Sequence, residues 1–378
     1  MRRAAFWIPI GLLVWGQLGY GLFLAALHRV RGDRPRKPAW VPDGPPHVSV
    51  IVAAYREAAV IETKVRNALA LDWPREKLEV IVAVDGGAEP GADETAALAR
   101  ASGAHHVLEL PRLGKVRAQD AAVARAKGAL LAFSDANARW EPGALAALAK
   151  AFEDPEVAYA CGQVAFVNAE GTNQEGLYWR YELWLRAHES ALRSVTAGNG
   201  AIYAIRRDAY LAGDERVSHD LALPFRLVKG GLRAVYVPQA RATERMVPTI
   251  EGEWARKRRM MAHAWPMIAR GGLLNPIGYP PLYALMIASH RLLRYAAPLL
   301  HLLALAASLT LSRERLYRLA VLAQLSLLAA AAAGGRVKAR PLLVARYYVL
   351  TTASIAAGLH DWVRYGTPAG WDAAEGTR

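Results

Sequence analysis

The chain has 378 residues, of which 53% are hydrophobic, and this composition argues against a purely soluble protein because part of such a chain lies in lipid. Its 47 lysines and arginines against 33 acidic residues give a net charge of +14, which is typical of proteins that bind nucleic acid, anionic lipid headgroups or phosphorylated substrates. The single cysteine, Cys161, excludes an intrachain disulfide and a thiolate metal cluster and agrees with a reducing compartment.

The first apolar segment, Ala4–Leu27, contains no Asp, Glu, Lys, Arg or His. It is long enough to cross the roughly 30 Å hydrocarbon layer of a bilayer as a helix. A cleaved signal peptide would have a shorter apolar core and a small-residue cleavage site, whereas this segment ends in the basic cluster His28-Arg29-Val30-Arg31. We therefore predict an uncleaved transmembrane helix over residues 4–27, followed by a basic linker over residues 28–46.

The linker also indicates the orientation of the chain. Basic residues are concentrated between Arg29 and Lys37, whereas only two arginines precede the first helix. The positive-inside rule therefore places the region after Leu27 in the cytoplasm and predicts an inner-membrane, multi-pass protein. A membrane location favours lipid headgroups and phosphorylated substrates as partners, and we expect no nucleic acid.

Short apolar runs alternate with helix-like segments between the linker and Pro280. The predicted strands are Val48–Ala54, Leu78–Val84 and Ala129–Phe133. The predicted helices are Glu57–Leu71, Asp93–Ser102, Lys115–Ala126 and Gly143–Phe152. This order predicts an α/β domain over residues 47–270 with a doubly wound, mostly parallel sheet, whose ligands bind at the carboxyl ends of the strands.

After Pro280 the sequence becomes membrane-like again. Leu282–Arg294 carries His290, Arg291 and Arg294 and predicts an amphipathic helix on the lipid headgroups, within an interface region over residues 271–294; a buried helix is the less favoured alternative. Transmembrane helices are predicted over residues 295–363, with a tail over residues 364–378, because three apolar stretches are long enough to span: Tyr295–Leu311, Leu316–Ala333 and Leu342–Leu359.

The side of the membrane on which the tail lies depends on the number of these spans. Three spans after a cytoplasmic domain place the tail outside the cell, which is our prediction. A bent hairpin in which Leu282–Arg294 joins the next stretch would place it inside. The basic residues Arg336, Lys338 and Arg340 favour an inside loop before the last span and agree with the external tail.

Carboxylates at the ends of predicted strands are the first candidates for chemistry. Asp85, in Val84-Asp85-Gly86-Gly87, could accept hydrogen bonds from the base or ribose of a nucleotide, and the glycines would let the backbone approach it closely. The alternative is an Asp-Gly turn that binds no ligand.

A second strand end carries Asp135 and Asn137 at a spacing of two, which in extended chain directs both side chains to the same side. They could share a divalent cation that neutralises the diphosphate of a nucleotide sugar. The alternative is that one of them caps the following helix or shapes the loop.

Asp220 and a basic run near the end of the domain are the remaining candidates. Asp220 could deprotonate an incoming hydroxyl, with a helix cap as the alternative. In Arg256-Lys257-Arg258-Arg259, the first and last arginines share one helix face and could stabilise a departing diphosphate. For Lys257 and Arg258 we favour a solvated, membrane-facing patch.

Seven segments in a fixed order resemble the family 2 membrane glycosyltransferases, the group that contains cellulose, hyaluronan and poly-N-acetylglucosamine synthases. The resemblance covers about residues 46–265, with a weaker similarity in Trp371–Arg378. The matching segments are Val48–Tyr55, Val84–Gly87, Gly114–Lys115, Ser134–Asn137, Tyr178–Glu182, Gly198–Arg206 and His219–Pro224.

The resemblance implies a GT-A fold, a nucleotide-diphosphate sugar donor, Mg²⁺ or Mn²⁺ as cofactor, and inversion at the anomeric carbon. It implies that Asp220 is the catalytic base, with Arg259 beside it. The donor-binding residues that it implies are Asp85, Lys115, Ala53, Tyr55, Glu57, Ser134 and Arg256. The metal side is formed by Asp135 and Asn137, and the acceptor side by Gly198, Asn199, Gly200, Trp179 and Glu182.

Three positions depart from the family pattern. Asn137 replaces the second acid of the usual Asp-x-Asp, which lowers the negative charge available to a metal. His219 replaces the first acid of the usual acidic pair. Met260 stands where processive synthases carry the tryptophan that stacks on the acceptor, which argues against polymer synthesis.

The sequence therefore predicts a membrane-anchored inverting glycosyltransferase that uses a lipid-linked or saccharide acceptor in cell-surface polysaccharide or glycolipid synthesis. A nucleotidyltransferase acting on sugar phosphates is one alternative, and it would not need Asp220 as a base. A catalytically silent membrane binding or assembly protein is the other. The sequence identifies neither the sugar nor an export partner, because selectivity depends on pocket shape.

Overall fold

The computed structural model describes residues 2–35, 44–167, 175–212 and 218–367. The segment Trp371–Arg378, whose location we predicted, lies outside the described residues. The first helix is longer than predicted and consists of α1 (Arg2–Val14), a π-helical stretch (Trp15–Gly19) and α2 (Tyr20–Arg31).

An eight-stranded sheet forms the centre of the described domain, in the order β3-β2-β1-β4-β7-β6-β8-β5. Strands β1, β2, β3 and β4 are mutually parallel, β7 runs antiparallel to β4 and β6, and β8 is parallel to β6 and antiparallel to β5. The strands are β1 (Val48–Ala54), β2 (Leu78–Asp85), β3 (His106–Leu110), β4 (Leu130–Asp135), β5 (Arg139–Trp140), β6 (Val157–Val167), β7 (Tyr203–Arg206) and β8 (Arg233–Arg245). The mostly parallel sheet confirms the predicted fold class.

Helices cover both faces of this sheet. The predicted helix Glu57–Leu71 begins only at Ile61, because residues before it form a turn in which the Glu57 N–H donates to Thr95 Oγ1. The helices are α3 (Ile61–Leu69), α4 (Thr95–Ala101), α5 (Lys115–Arg125), α6 (Ala144–Ala151), α7 (Glu175–Leu192), α8 (His219–Lys229) and α9 (Ile250–Ala269). Short 3₁₀ turns lie at Arg75–Lys77 and Arg207–Ala209.

Successive residues of the central strands enter separate cores on the two faces. Val50 and Val52 of β1 belong to one cluster, whereas Ile51 belongs to the other, together with Phe133 of β4. Side chains alternate across a strand, so a strand covered on both faces is apolar throughout, as β1 is. The covered faces leave the carboxyl-terminal strand ends as the place for a ligand.

The C-terminal region differs from the prediction in one respect. The helix predicted to lie on the headgroups is continuous with the first span, through α10 (Pro281–Met286), a π-helical turn (Ile287–Leu292) and α11 (Leu293–Thr310). Its basic side chains contact the domain: Arg294 forms an ion pair with Glu182, and Arg291 donates to the Thr196 hydroxyl. Residues 281–294 therefore belong to the same helix as the first C-terminal span, whereas the predicted domain bounds stay a prediction.

Four described helical segments are long and apolar enough to cross a membrane. They are Arg2–Arg31, Pro281–Thr310, α12 (Arg315–Ala333) and α13 (Arg340–Tyr365). One segment precedes the sheet and three follow it, as predicted, whereas the location of the tail stays a prediction. A third buried cluster, which includes Tyr20, Phe225 and Tyr283, packs the spans directly against the domain.

Helix α9 of the domain packs tightly against α13. A Cβ atom on Gly358 would lie 2.5 Å from the Met261 Cβ, so the two helices approach too closely there for any larger residue. Arg258 donates to both carboxylate oxygens of Asp361 at 2.6 and 2.7 Å. Arg258 is thus paired with α13 while its side chain stays exposed, which agrees with its interpretation as solvated.

Candidate active site

Asp85 ends β2 and fixes the loop that leads into α5. Its Oδ1 accepts hydrogen bonds from the backbone N–H groups of Leu113 at 2.7 Å and Gly114 at 3.0 Å, and its Oδ2 from the Arg112 guanidinium at 2.7 Å. The Arg112 guanidinium lies 3.1 Å from the centre of the Tyr55 ring. Asp85 therefore orders the stacked pair of Arg112 and Tyr55. Of these two residues, Arg112 was not predicted from the sequence.

A cleft opens beside this pair at the ends of β1 and β2. Tyr55, Asp85, Gly86 and Glu89 are among the residues that line it. Gly86 has a φ of +77°, a left-handed conformation that favours glycine, and it packs against the Tyr55 ring. The cleft combines an aromatic face, a cation and a carboxylate, which suits a nucleoside.

Lys115 and Asp135 form a half-buried ion pair between the start of α5 and the end of β4. A Cβ on Gly200 would lie 3.1 Å from both the Lys115 Nζ and the Asp135 Oδ2, so only glycine leaves the pair undisturbed. Burial lowers the pKa of Lys115, but Asp135 and then Asp220 outweigh burial and raise it. Lys115 is thus a permanent cation among the predicted site residues.

Glu244, near the end of β8, is a site residue that the sequence reasoning missed. Burial and then the charge of Asp135 raise the pKa of its carboxyl to about 7. Arg256, Lys115 and Lys64 counteract that rise. Two carboxylates and several cations therefore converge at one end of the sheet, and the alternating pattern of the strand was the only sequence signal for Glu244.

Lys64 is a second residue that the sequence reasoning missed. It lies on the buried face of α3, donates to the Ala138 carbonyl oxygen at 2.8 Å, and has a pKa lowered by burial to about 7. A cavity of about 270 Å³ adjoins it and is lined also by Asn67, Asn137 and Arg245. Asn137, two positions after Asp135 in the chain, thus lines a cavity with basic walls.

The carboxylates fit a divalent cation. The described part of the chain holds no group of three His, Cys, Asp or Glu side chains arranged around a metal. Mg²⁺ sites in nucleotide enzymes commonly use only one or two carboxylates, and substrate phosphates and water complete the coordination. Asp135 and Glu244 supply two carboxylates; burial and then repulsion from Asp135 raise the pKa of Glu244, and a cation would offset both effects.

Asp220 lies in the first turn of α8. The Ser218 hydroxyl donates to its carboxylate, and its backbone oxygen accepts from the Gly198 N–H at 2.8 Å. His219, which replaces an acid of the family pattern, is buried, with its Nε2 atom 3.5 Å from Asp120 Oδ1. The charge of Asp220 acts on Lys115, so the predicted base and the predicted donor lysine belong to the same electrostatic site.

The predicted acceptor-side residues have different surroundings. Asn199 joins two strands through hydrogen bonds to Gly162 O and Ile202 N, both at 2.9 Å. Trp179 donates to Val164 O at 2.7 Å. The Glu182 carboxylate is held by Arg294 and His290 of helix α10–α11, and its assignment to the acceptor side stays a prediction.

The remaining predicted donor residues lie around the same strand ends. Ala53 pairs with Asp135 in the register of β1 and β4, and Ser134 donates to the Ala201 carbonyl oxygen at 3.1 Å. Glu57 is buried in the turn before α3. Arg256 donates to both carboxylate oxygens of Glu253 at 2.7 and 2.8 Å, one turn before Arg259 on α9.

Two family models match the chain. The one described as glycosyl transferase family 2 matches residues 49–212, and the one described as glycosyl transferase family group 2 matches residues 131–335. The fold is similar to that of a mannosyltransferase from Pyrobaculum calidifontis solved in complex with GDP-Man and Mn²⁺, with a TM-score of 0.72 and 23% identity over 95% of this chain and 99% of that one. This likeness identifies the fold as GT-A.

Two curated relatives are similar to part of the chain. An N-acetylglucosaminyltransferase of Mesorhizobium japonicum is 29% identical over 60% of this chain and 56% of its own length. A beta-monoglucosyldiacylglycerol synthase of Trichormus variabilis is 26% identical over 58% of this chain and 50% of its own length. The chain therefore spans about half the length of the curated relatives that it matches.

Proposed function

Because the chain belongs to glycosyl transferase family 2, we propose that it moves a sugar from a nucleotide-diphosphate sugar to the hydroxyl of a lipid-linked or saccharide acceptor, with inversion at the anomeric carbon. The observation that carries this proposal is the half-buried Lys115–Asp135 pair, with the Asp85 cleft and Asp220 around it. A cation and carboxylates at the carboxyl ends of a parallel sheet suit a diphosphate and its leaving-group charge.

Each residue of this site has a part in the proposed transfer. The base and ribose bind in the cleft between Tyr55 and Asp85. Lys115 and Arg256 offset the charge of the departing diphosphate, and the Asp220 carboxylate accepts the proton of the attacking hydroxyl. Asp135, Glu244 and Asn137 would hold Mg²⁺ or Mn²⁺, which supplies further neutralisation of the leaving group when bound.

The alternatives to glycosyl transfer make different demands on this site. A nucleotidyltransferase acting on sugar phosphates needs a metal and a lysine but no base for an acceptor hydroxyl. A catalytically silent protein needs no metal, no lysine and no base. The charge of Asp220 acts on Lys115, and this arrangement supports glycosyl transfer over both alternatives.

The membrane provides the second half of the proposal. We place the catalytic domain on the cytoplasmic side of the inner membrane, because the basic linker favours that side and nucleotide sugars are supplied there. The spans pack directly on the domain, so an acceptor carried by the bilayer would reach a site held at a fixed height. The relative from Trichormus variabilis, whose name denotes a glycosylated diacylglycerol, supports a lipid acceptor and glycolipid or polysaccharide synthesis.

A donor screen tests the proposal. Purified protein in lipid nanodiscs would be incubated with several UDP- and GDP-sugars, Mg²⁺ or Mn²⁺, and membrane lipid extract, and nucleotide release and sugar incorporation measured. We expect one donor to give lipid- or saccharide-linked product. Transfer of a nucleotidyl group to a sugar phosphate, or no turnover with any donor, would contradict the proposal.

A further inference from the structure

A buried polar network joins the membrane helix α10–α11 to the catalytic domain. His290 lies in the π-helical turn of this helix, with its Nδ1 atom 2.7 Å from Glu189 Oε1 and its Nε2 atom 3.2 Å from Glu182 Oε2. The Tyr20 hydroxyl of the first span donates to Glu189 at 2.7 Å. Charged side chains within a spanning helix usually pair inside the protein and mark function, and π-helical turns often occur at functional sites.

The network also holds a loop of the catalytic domain. We call residues 194–200, between α7 and β7, the bridging loop. Thr196 Oγ1 accepts from Arg291 Nε at 3.0 Å, lies 3.1 Å from His290 Nδ1, and donates to Glu189 Oε2 at 3.1 Å. The Tyr283 hydroxyl of α10 donates to the Val195 carbonyl oxygen at 2.9 Å. Three side chains of one membrane helix therefore contact two adjacent loop residues.

The other end of the bridging loop touches the active site. The Gly198 N–H donates to the backbone oxygen of Asp220 at 2.8 Å. Gly200 packs so closely on Lys115 and Asp135 that a Cβ would lie 3.1 Å from a side-chain atom of each. Only four positions of chain therefore separate Thr196 from the glycine that packs on the ion pair.

The loop has little freedom to absorb a displacement at Thr196. A Cβ on Gly198 would lie 1.8 Å from the Tyr159 hydroxyl, and Asn199 is fixed by its two hydrogen bonds. Tightly packed segments shift as units because they have no space in which to deform. The position of Gly200 is therefore determined partly by the contacts of Thr196.

We propose that Thr196 is a positioning residue, through which the membrane helix α10–α11 fixes the bridging loop and so the placement of Lys115, Asp135 and Asp220 for sugar transfer. The inference rests on the proposed function only for its kinetic consequence. Its structural consequence, a bridging loop ordered by a membrane helix, is measurable without any substrate.

Two variants test the proposal with little change in volume. Thr196→Val removes the hydroxyl and keeps the shape of the side chain, whereas Thr196→Ser keeps the hydroxyl. Misplacement of reacting groups by about 1 Å costs up to about 100-fold in rate, so we expect kcat to fall at least about tenfold in Thr196→Val. The donor KM should change much less, because Asp85 and Arg112 form the cleft through separate contacts. Thr196→Ser should retain wild-type kcat.

Hydrogen exchange of the purified protein in nanodiscs supplies the readout that needs no turnover. The peptide spanning the bridging loop should exchange faster in Thr196→Val and in Tyr283→Phe, which loses only the hydroxyl that binds Val195. Ser308→Ala is the matched control, because the Ser308 hydroxyl is buried on the same membrane helix and donates only to Ala304 O at 2.6 Å.

Loop exchange that stays at the wild-type rate in both Thr196→Val and Tyr283→Phe would overturn the proposal, and so would equal acceleration in Ser308→Ala. Wild-type kcat in Thr196→Val would also overturn it. A wild-type protein that uses no sugar donor would contradict the proposed function, and the exchange rates would still test the positioning role.

Discussion

Replacement of Asp220 by asparagine separates catalysis from donor binding. Asparagine has nearly the same volume, and its side-chain oxygen still accepts from the Ser218 hydroxyl. It cannot take a proton from an acceptor hydroxyl at neutral pH. A general base contributes about 10² to 10⁴ in rate, so we expect kcat of Asp220→Asn to fall by about that factor.

The structural cost of the same change is small. Asp220 lies in the first turn of α8, where a negative charge interacts favourably with the helix dipole by about 0.3 to 1 kcal/mol. The free energy of unfolding should therefore fall by no more than about 1 kcal/mol. Donor affinity should persist, because Asp135 keeps its contact with Lys115.

The assay measures initial rates of nucleotide release at saturating donor and acceptor, with donor affinity measured separately by calorimetry. Asp208→Asn is the control, since Asp208 is an exposed carboxylate on the 3₁₀ turn after β7. Turnover of Asp220→Asn within about threefold of wild type would refute the assignment of the base. If Asp220→Asn lost both donor binding and turnover, Asp220 would instead be a residue that organises the donor site.

Three further predictions concern the metal, the cleft and pH. Chelator, or Asp135→Ala, should lower turnover by at least about 100-fold because the metal supplies several kcal/mol, and Asn137→Asp should lower the half-saturating metal concentration; full activity in EDTA would exclude a metal. Asp85→Ala leaves two backbone N–H groups without their acceptor. Affinity for the sugar donor should therefore weaken, and the free energy of unfolding should fall by about 2 to 4 kcal/mol. An unchanged melting temperature would contradict this prediction. Burial raises the pKa of the Glu182 carboxyl, but Arg294 and then His290 outweigh burial and bring this pKa well below 4.5. The charged carboxylate therefore stabilises the fold above pH 4.5, and this stability is lost as the pH falls through the folded-state pKa. Glu182→Gln should lack this part of the acid unfolding profile, and a profile like that of the wild type would refute the prediction.

The parallel half of the sheet was predictable because its signal is local. The strand Val48–Ala54 has the predicted bounds, since a strand buried on both faces is apolar along its whole length. The antiparallel partners β6, β7 and β8 were not predicted. Their pairing joins residues that are distant in sequence, such as Cys161 with Tyr203, and no local pattern encodes that register.

The residues of the candidate site were likewise predictable only where the sequence signal is local. Asp85 and Asp135 were found because each directly follows a run of buried apolar residues. Glu244 and Lys64 were missed because their importance depends on neighbours that only the tertiary structure provides. The contact of Glu182 with Arg294, which lies 112 residues further on, was missed for the same reason.

The close packing of α9 on α13 has a consequence for the order in which the protein is made. Domains of a growing chain generally fold from the N-terminal end during synthesis. Helix α9 leaves the ribosome well before α13, so Met261 and Arg258 can contact Gly358 and Asp361 only after α13 has been made. The first span meets its partners on α7 far earlier. The surface of α9 is therefore completed late in translation, and a chain that stops after α12 exposes that surface, with an uncompensated arginine, to cellular proteases.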